Sequence, residues 1–353
     1  MKAYKRHRDY GFFDQDLRLT KLSQLGDPLE KLNKGIDFEV FRESLEAGLS
    51  KLPRGKGGRR PYDYVMLFKT LILQRYYNLS DEQLEFQVND RMSFMRFLGL
   101  SIADDIPDSR TVWHFREQLT DLELVEPLFN LFLGELDRIG LIVNDGKIID
   151  ASFVEVPRQR NSRQENGQLK EGVTPQAWLD KPRKLSQKDR DAKWTRKNHQ
   201  SFFGYKNHVK TDNGSKLIKR YRVTDASVHD SQELVELLEE QDRGETLHGD
   251  SAYTGEKQEQ AIASRELVNR VHEKGYRNHP LTQEQRASNT VKSRVRARVE
   301  HVFGFMENSM GGMEIRSIGL RRASAIIGLS NLVYNMFRKI QLQAGIDGIA
   351  ASC

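Results

Sequence analysis

Three carboxylates stand out by type and setting. Asp150 closes the apolar run Lys147-Ile148-Ile149, Asp250 closes Thr246-Leu247-His248-Gly249, and Glu300 follows Arg294, Arg296 and Arg298 in a basic stretch. Carboxylates at the ends of buried strands converge at one edge of a sheet, and a helical glutamate packed near that edge completes a set of oxygen ligands. Hard divalent ions such as Mg2+ and Mn2+ take such a set and leave room for water and phosphate oxygens. Two ions held this way can activate an attacking oxygen and stabilise a leaving one in phosphodiester cleavage. The chain has 50 acidic residues, however, and an aspartate after a strand is also the ordinary turn former or helix cap. Spacing alone leaves both readings open.

Basic residues that could hold the phosphates lie on both sides of these carboxylates. The chain carries 56 Lys and Arg against 50 Asp and Glu, a net charge of +6. Residues 151–200 hold 12 basic against 6 acidic side chains, whereas residues 101–150 hold 4 against 11. Such separation suits a surface that binds a polyanion in one place. Within it, Lys193, Arg196 and Lys197 form a cluster, and Lys206 and Lys210 lie on a strand-like run and are expected to face DNA. Arg296 is expected to contact phosphate beside Glu300, while Arg294 and Arg298 have no assignment. Nearer the start, Arg59 and Arg60 end the glycine-rich loop 53–61, whose backbone can approach a phosphate closely. Ser109 is expected to cap a helix that presents Arg110, Thr111, His114 and Arg116, the first three of them entering a major groove. The bland alternative buries that helix through Val112, Trp113 and Phe115. His208 and His248 read as strand histidines, the latter a candidate support for Asp250.

The elements that must position these residues divide the chain in two. Up to about residue 140 the apolar spacing is helical: a helix capped by Asp37, another over 62–77, a capping box at Ser80 and Gln83, and a helix over about 127–139. From Leu141 strand patterns take over, at 141–143, 147–154, 202–210, 216–224, 245–250 and 267–272, with an Asn213-Gly214 turn between the third and fourth. Helices are expected over 231–240, 256–264, 282–306 and 323–340. A hairpin followed by strand–helix alternation gives an α/β fold, a mixed sheet with helices on its faces. Residues 158–200 read either as a disordered linker or as a basic insertion, with Trp178, Trp194, Phe202 and Phe203 as surfaces that could pack or stack on a base. Mean hydropathy is −0.67. No apolar run is long enough to cross a membrane, no secretory signal is visible at the N-terminus, and the single Cys353 excludes a disulfide framework. A cytoplasmic location is expected.

Ile149-Asp150-Ala151-Ser152, His248-Gly249-Asp250-Ser251-Ala252-Tyr253-Thr254-Gly255 and the run from Arg294 to Gly304 resemble the three acidic motifs of bacterial insertion-sequence transposases of the DDE class, the insertion sequence 5 family above all. Gly58 to Tyr62, Tyr77 to Asp81 and Ile106 to Thr111 resemble the N-terminal region of that family. The resemblance covers about residues 50–340. It implies a ribonuclease H-like catalytic domain over 141–345, preceded by a helical DNA-binding domain over 1–140 that is also a candidate for dimerisation. It further implies Asp150, Asp250 and Glu300 as catalytic residues and metal ligands, two Mg2+ (or Mn2+) ions, and double-stranded DNA as partner, both element ends and target. A homodimer on DNA and a nucleoid-associated protein complete the picture. Related enzymes place a Tyr–Arg–Glu–Lys signature around the glutamate. Here Arg296 fits, but Ser293 and Glu307 stand where the tyrosine and lysine would be. Two rivals are a transposase-derived DNA-binding protein without catalysis and a hydrolase of small phosphoesters.

Overall fold

The computed structural model describes residues 11–50, 61–197 and 199–350. The first part is helical: α1 (Asp14–Gln24), α2 (Pro28–Gly35), α3 (Arg42–Leu49), α4 (Tyr64–Tyr76), α5 (Asp81–Asp90), α6 (Met92–Leu98), α7 (Ser109–Asp121) and α8 (Val125–Arg138). Its boundaries follow the side chains that satisfy free backbone N–H groups. Asp63 accepts from Met66 at 3.0 Å to start α4. Ser80 and Gln83 form the expected reciprocal capping box of α5. The cap of α7 is Asp108, which accepts from Thr111 N at 2.7 Å. Ser109, expected in that role, lies one residue inside the helix and donates its N–H to Glu85.

The second part is a mixed sheet: β1 (Lys147–Glu155), β2 (Lys193–Lys197), β3 (Gln200–Asp212), β4 (Ile218–Asp225), β5 (Thr246–His248) and β6 (Val268–Asn269). Strand β3 pairs antiparallel with β1, β2 and β4, whereas β5 runs parallel to β1 and β6 parallel to β5. Between β1 and β2 lie α9 (Arg163–Lys170), α10 (Gln176–Leu179) and α11 (Pro182–Leu185). After β4 come α12 (Leu234–Leu237), α13 (Glu256–Ser264), α14 (Gln283–Arg296), α15 (Glu300–Asn308) and α16 (Leu320–Ala350). No helix among the described residues is long and apolar enough to cross a membrane.

Four expected elements differ, the strand expected over 267–272 being only Val268–Asn269 (β6). Residues 141–143 form no strand, because Val143 and Asn144 donate their N–H groups to the Asp212 carboxylate while Leu141 and Ile142 sink into the core. The helix expected over 231–240 shrinks to α12 between two 3-10 turns. The helix expected over 282–306 is interrupted by a 3-10 turn at Ala297–Val299.

The largest core is continuous from Leu29 and Phe41 in the helical part, through Ile148 and Val209 on one face of the sheet, to Leu329 and Phe337 on α16. Helix α16 holds both parts. Tyr76 stacks on Phe337 with ring centroids 4.0 Å apart. On the sheet side Asn331 and Asn207 exchange amide hydrogen bonds, and Asn335 bonds both the N–H and the C=O of Ile218. Each satisfied bond contributes about 1 kcal/mol, and each lone partner left buried would cost more. The other face of the sheet packs Ile149 and Leu247 against Leu234, Leu237 and Ile262.

Candidate active site

Asp150 and Asp250 are set by one register. Lys147 pairs with Leu247 and Ile148 with His248 in the parallel β1–β5 ladder. The same hundred-residue offset carries Asp150 and Asp250 to matching positions two residues further on, at the carboxyl end of β5. Asp250 caps the 3-10 turn Ser251–Tyr253 and accepts from Ala252 N at 2.8 Å, so the capping role also holds and occupies one oxygen. Asp150 accepts from Ala151 N at 2.9 Å and, through its other oxygen, from Arg296 Nη1 at 2.7 Å. Burial pushes the Asp150 carboxyl above its ordinary range, and the Asp250 charge adds to the rise against the pull of the Ala151 N–H and of Arg296. Two half-buried carboxylates, one within β1 and one just past the end of β5, with the Arg296 guanidinium on the first, are oxygen donors of the kind Mg2+ and Mn2+ take.

Glu300 is not drawn into this pair. It begins α15, is exposed, and makes no hydrogen bond or ion pair among the described residues. Among those residues no three His, Cys, Asp or Glu side chains gather to hold a metal ion. The physical reason is the 3-10 turn before it. A 3-10 residue turns about 120° and an α-helical one about 100°, so three of them rotate Glu300 roughly 60° further from Arg296, and it is Arg296 that reaches Asp150. Arg296, expected to hold phosphate, is thus committed to a carboxylate, with its Nε buried and unpartnered. Arg298 donates to the carbonyl and side chain of Asn213.

Tyr253 lies in the second acidic motif, yet its residue type there carried no signal for a role. Its hydroxyl is buried without a partner, and Asp230, Asp150 and Asp250 raise its pKa further after burial has done most of the work. Asp230 had no sequence signal; it comes near this site through Lys206. His272 bonds Ser293 Oγ at 3.2 Å, and its pKa is lowered by burial and then by Arg296.

The basic residues separate by strand. Lys206 is buried and donates to Asp230 at 2.8 Å and to the carbonyl of Val228 at 2.6 Å. Lys210, wholly buried, bonds Glu239 at 2.7 Å and Asp242 at 2.5 Å. The expectation that these two face DNA is therefore corrected. They project from β3, an interior strand, into a face covered by the segment 230–242. On the neighbouring β2, Arg196 and Lys197 are exposed, Lys197 lies 5.8 Å from the Phe153 ring, and its charge is felt at Asp150. Lys193 pairs with Asp225 at 3.3 Å. Arg110 and His114 are exposed on α7 and Thr111 is partly buried. Arg116 is not on that surface: it is buried and grips Asp81 with both terminal nitrogens, at 2.6 and 2.9 Å. Arg59 and Arg60 lie outside the described residues.

The insertion is built rather than bare linker. Trp178 is fully buried, donates from Nε1 to Glu165 at 2.5 Å, and carries Lys188 over its ring at 5.0 Å. The Ser162 N–H first, then the Trp178 bond, hold the Glu165 carboxyl down to about 2. Trp178 is thus no platform for a base. Trp194 is 37% exposed, with Arg158 over its ring at 5.7 Å.

Two family models match the chain. Residues 143–336, more than half of it, match a family described as Transposase DDE domain. Residues 17–118 match a family described as Transposase domain (DUF772). Among solved structures, the chain is similar to a piggyBac transposase in a synaptic complex with hairpin DNA. The identity is 12% and the TM-score 0.48, over 88% of this chain and 75% of that one.

Proposed function

The chain belongs to the DDE-domain transposases, and on that premise we propose that it binds the ends of its own insertion sequence, cleaves them by metal-dependent phosphodiester hydrolysis and joins the 3′ ends to target DNA. The observation that carries this reading is the β1–β5 register, which gives Asp150 and Asp250 matching positions two residues beyond the last pair of the parallel ladder. The strand order supports a ribonuclease H-like domain: an antiparallel set of β4, β3 and β1 continued by parallel β5 and β6. Motif position supports membership of the bacterial insertion sequence 5 family, with Glu300 as the third carboxylate.

Asp150 and Asp250 would hold the ion, with Glu300 as third ligand. Divalent ions there, Mg2+ or Mn2+ and two in this reading, supply charge stabilisation at the phosphate oxygens and lower the pKa of an attacking water. The chain's own residues do the rest. Burial raises the cost of the charged Asp150 carboxylate, and the Arg296 guanidinium stabilises that charge. Lys197 and Arg196 offer exposed cations on the site's hairpin edge to hold the DNA backbone in line. Exposed Arg110 and His114 on α7, with Thr111, suit base reading in a major groove. Pairing two ends suits a homodimer on DNA.

The test is nicking of element-end DNA with and without Mg2+, by the wild type and by Asp150→Asn. Ion-dependent nicking lost in the variant supports the reading, and equal nicking by both overturns it. A second reading, a DNA-binding protein without catalysis, is favoured by one observation: Glu300 stands apart from the aspartate pair. Specific binding of element ends with no nicking at any Mg2+ or Mn2+ concentration would select it.

A further inference from the structure

The junction of the helical part with the segment after α15 forms a half-open cavity of about 180 Å³, lined by Arg75, Asn78, Ser80, Asp81, Arg116 and Arg316 among others. Two arginines of the helical part, Arg75 and Arg116, lie at its wall, and of these Arg116 alone bonds Asp81. Arg116 takes both oxygens of Asp81, and Gln74 donates to the same carboxylate at 2.6 Å. Arg75 is left over. Its Nε is buried without a partner, and among the described residues its guanidinium makes no hydrogen bond or ion pair. Burial, and then the Arg116 charge, push its pKa down to about 10, so it stays charged at neutral pH. The other acids at the cavity do not answer it: Glu82 is exposed, and Glu314 lies 3.7 Å from Arg316. Arg75 is partly exposed where it lines the cavity, and the Asp81 charge, already bonded by Arg116, answers it only at a distance; a planar guanidinium matches the oxygens of phosphate better than any other side chain. The first turn of α5 opens on the same cavity; its capping box takes the N–H groups of Ser80 and Gln83, which leaves those of Asp81 and Glu82 without a partner within the helix.

We propose that the cavity between α4, α5 and residues 314–317 is a seat for a phosphate group, held by the guanidinium of Arg75 and the first turn of α5. Its position at the seam would let one phosphate hold the helical part and the catalytic part together. The phosphate of a DNA backbone and free inorganic phosphate share this chemistry. Only the DNA source rests on the transposase reading.

The experiment uses the full chain without divalent ion. Thermal unfolding is followed in inorganic phosphate and in chloride at equal ionic strength, for wild type and Arg75→Met. The general effect of phosphate on protein surfaces is common to both proteins, so the site is read as the difference. Wild type should gain a saturable rise in Tm of about 2 °C or more that the variant lacks, and the variant in chloride should unfold no earlier than wild type. Equal responses to phosphate overturn the proposal. So does an earlier unfolding of the variant in chloride, which would mean that Arg75 has a structural partner. The second arm measures duplex DNA binding against salt. A slope smaller by about 0.9 in Arg75→Met assigns the seat to a DNA phosphate, and an unchanged slope with the phosphate response lost assigns it to the free anion. If Arg75→Met does not fold, Arg75→Lys is read in its place: a phosphate response below that of wild type supports the seat, and an equal one overturns it.

Discussion

The sheet and the pieces laid over it treat the same residue types in opposite ways. On β1 and β3, ionisable side chains are fixed by register and absorbed: Lys206 by Asp230, Lys210 by Glu239 and Asp242, Asp150 by Arg296. On the added hairpin strand and the helices, Arg196, Lys197, Arg110 and Glu300 are exposed. The lesson is that a lysine next to a lysine in sequence says little about DNA. Whether its strand lies inside the sheet or at its margin decides whether a buried carboxylate takes it first. Asp150 and Asp250 sit at the transition, rigid because the ladder sets them, yet half-buried at its end.

The sharpest break of this comparison is at that transition. Asp150→Asn and Asp250→Asn should each lower cleavage of element-end DNA by more than roughly 100-fold and leave binding intact or tighter, because each removes negative charge near phosphate. Glu300→Gln decides which side of the comparison the glutamate belongs to: a similar loss, read by the same cleavage assay, makes it the third ligand, and cleavage at the wild-type rate leaves the aspartates as the whole set.

Next in size is Lys210→Ala, which leaves Glu239 and Asp242 facing each other in a buried place. A loss of about 3–5 kcal/mol in urea unfolding is expected. Arg196→Ala, by contrast, should change stability by less than about 0.5 kcal/mol. If both are neutral, the division between absorbed and exposed cations is wrong.

His208 extends the test to pH. It is buried on β3, bonds Thr224 through Nε2, and burial lowers its pKa from 6.5 to about 4. The folded protein therefore binds a proton less readily than the unfolded chain. Stability should be unaffected above about pH 6.5 and should fall as pH drops from there towards 4, by at most about 3 kcal/mol from this group. His208→Gln should flatten that part of a stability–pH curve, and an unchanged slope would show that His208 is not its source.

The smallest effect is expected at the margin itself. Replacing Arg196 and Lys197 together by alanine should lower the salt slope of nonspecific duplex binding by about 0.9 for each phosphate that the variant no longer neutralises. Lys193 should add less, since Asp225 already engages it. An equal contribution from Lys193 would mean that its ion pair opens on DNA.

What was legible in the sequence follows this same line. Local chemistry was readable: the Ser80–Gln83 box, the Asn213-Gly214 turn and the strand that carries Asp150 depend on neighbours a few residues away. The pairing of the aspartates was anticipated by motif, but their shared offset became visible only through the β1–β5 ladder. The burial of Lys206 and Lys210 was not readable, because their partners come from a segment some twenty to thirty residues on that carries no pattern of its own. Nor was the 3-10 turn before Glu300: Arg294 to Glu300 reads as unbroken helix, and only packing of Val299 into the core reveals the change of pitch. Trp178, a candidate base platform by type, instead became the centre of a small folded insertion.

Helix α16 has a consequence for how the molecule comes into being. It supplies one wall of the core shared by the helical part and the sheet, and it emerges from the ribosome after all the strands and all the other described helices. The faces of α8 and β4 that α16 covers stay open until it has been made. The nascent chain must therefore carry apolar surface of α8 and β4 incompletely covered while the rest is synthesised, and folding of the two parts is coupled to a contact of very long sequence separation. A chain interrupted before residue 320 would lose the joint on which both halves close, so a truncated copy should aggregate or be degraded rather than persist as a free helical fragment that competes for DNA.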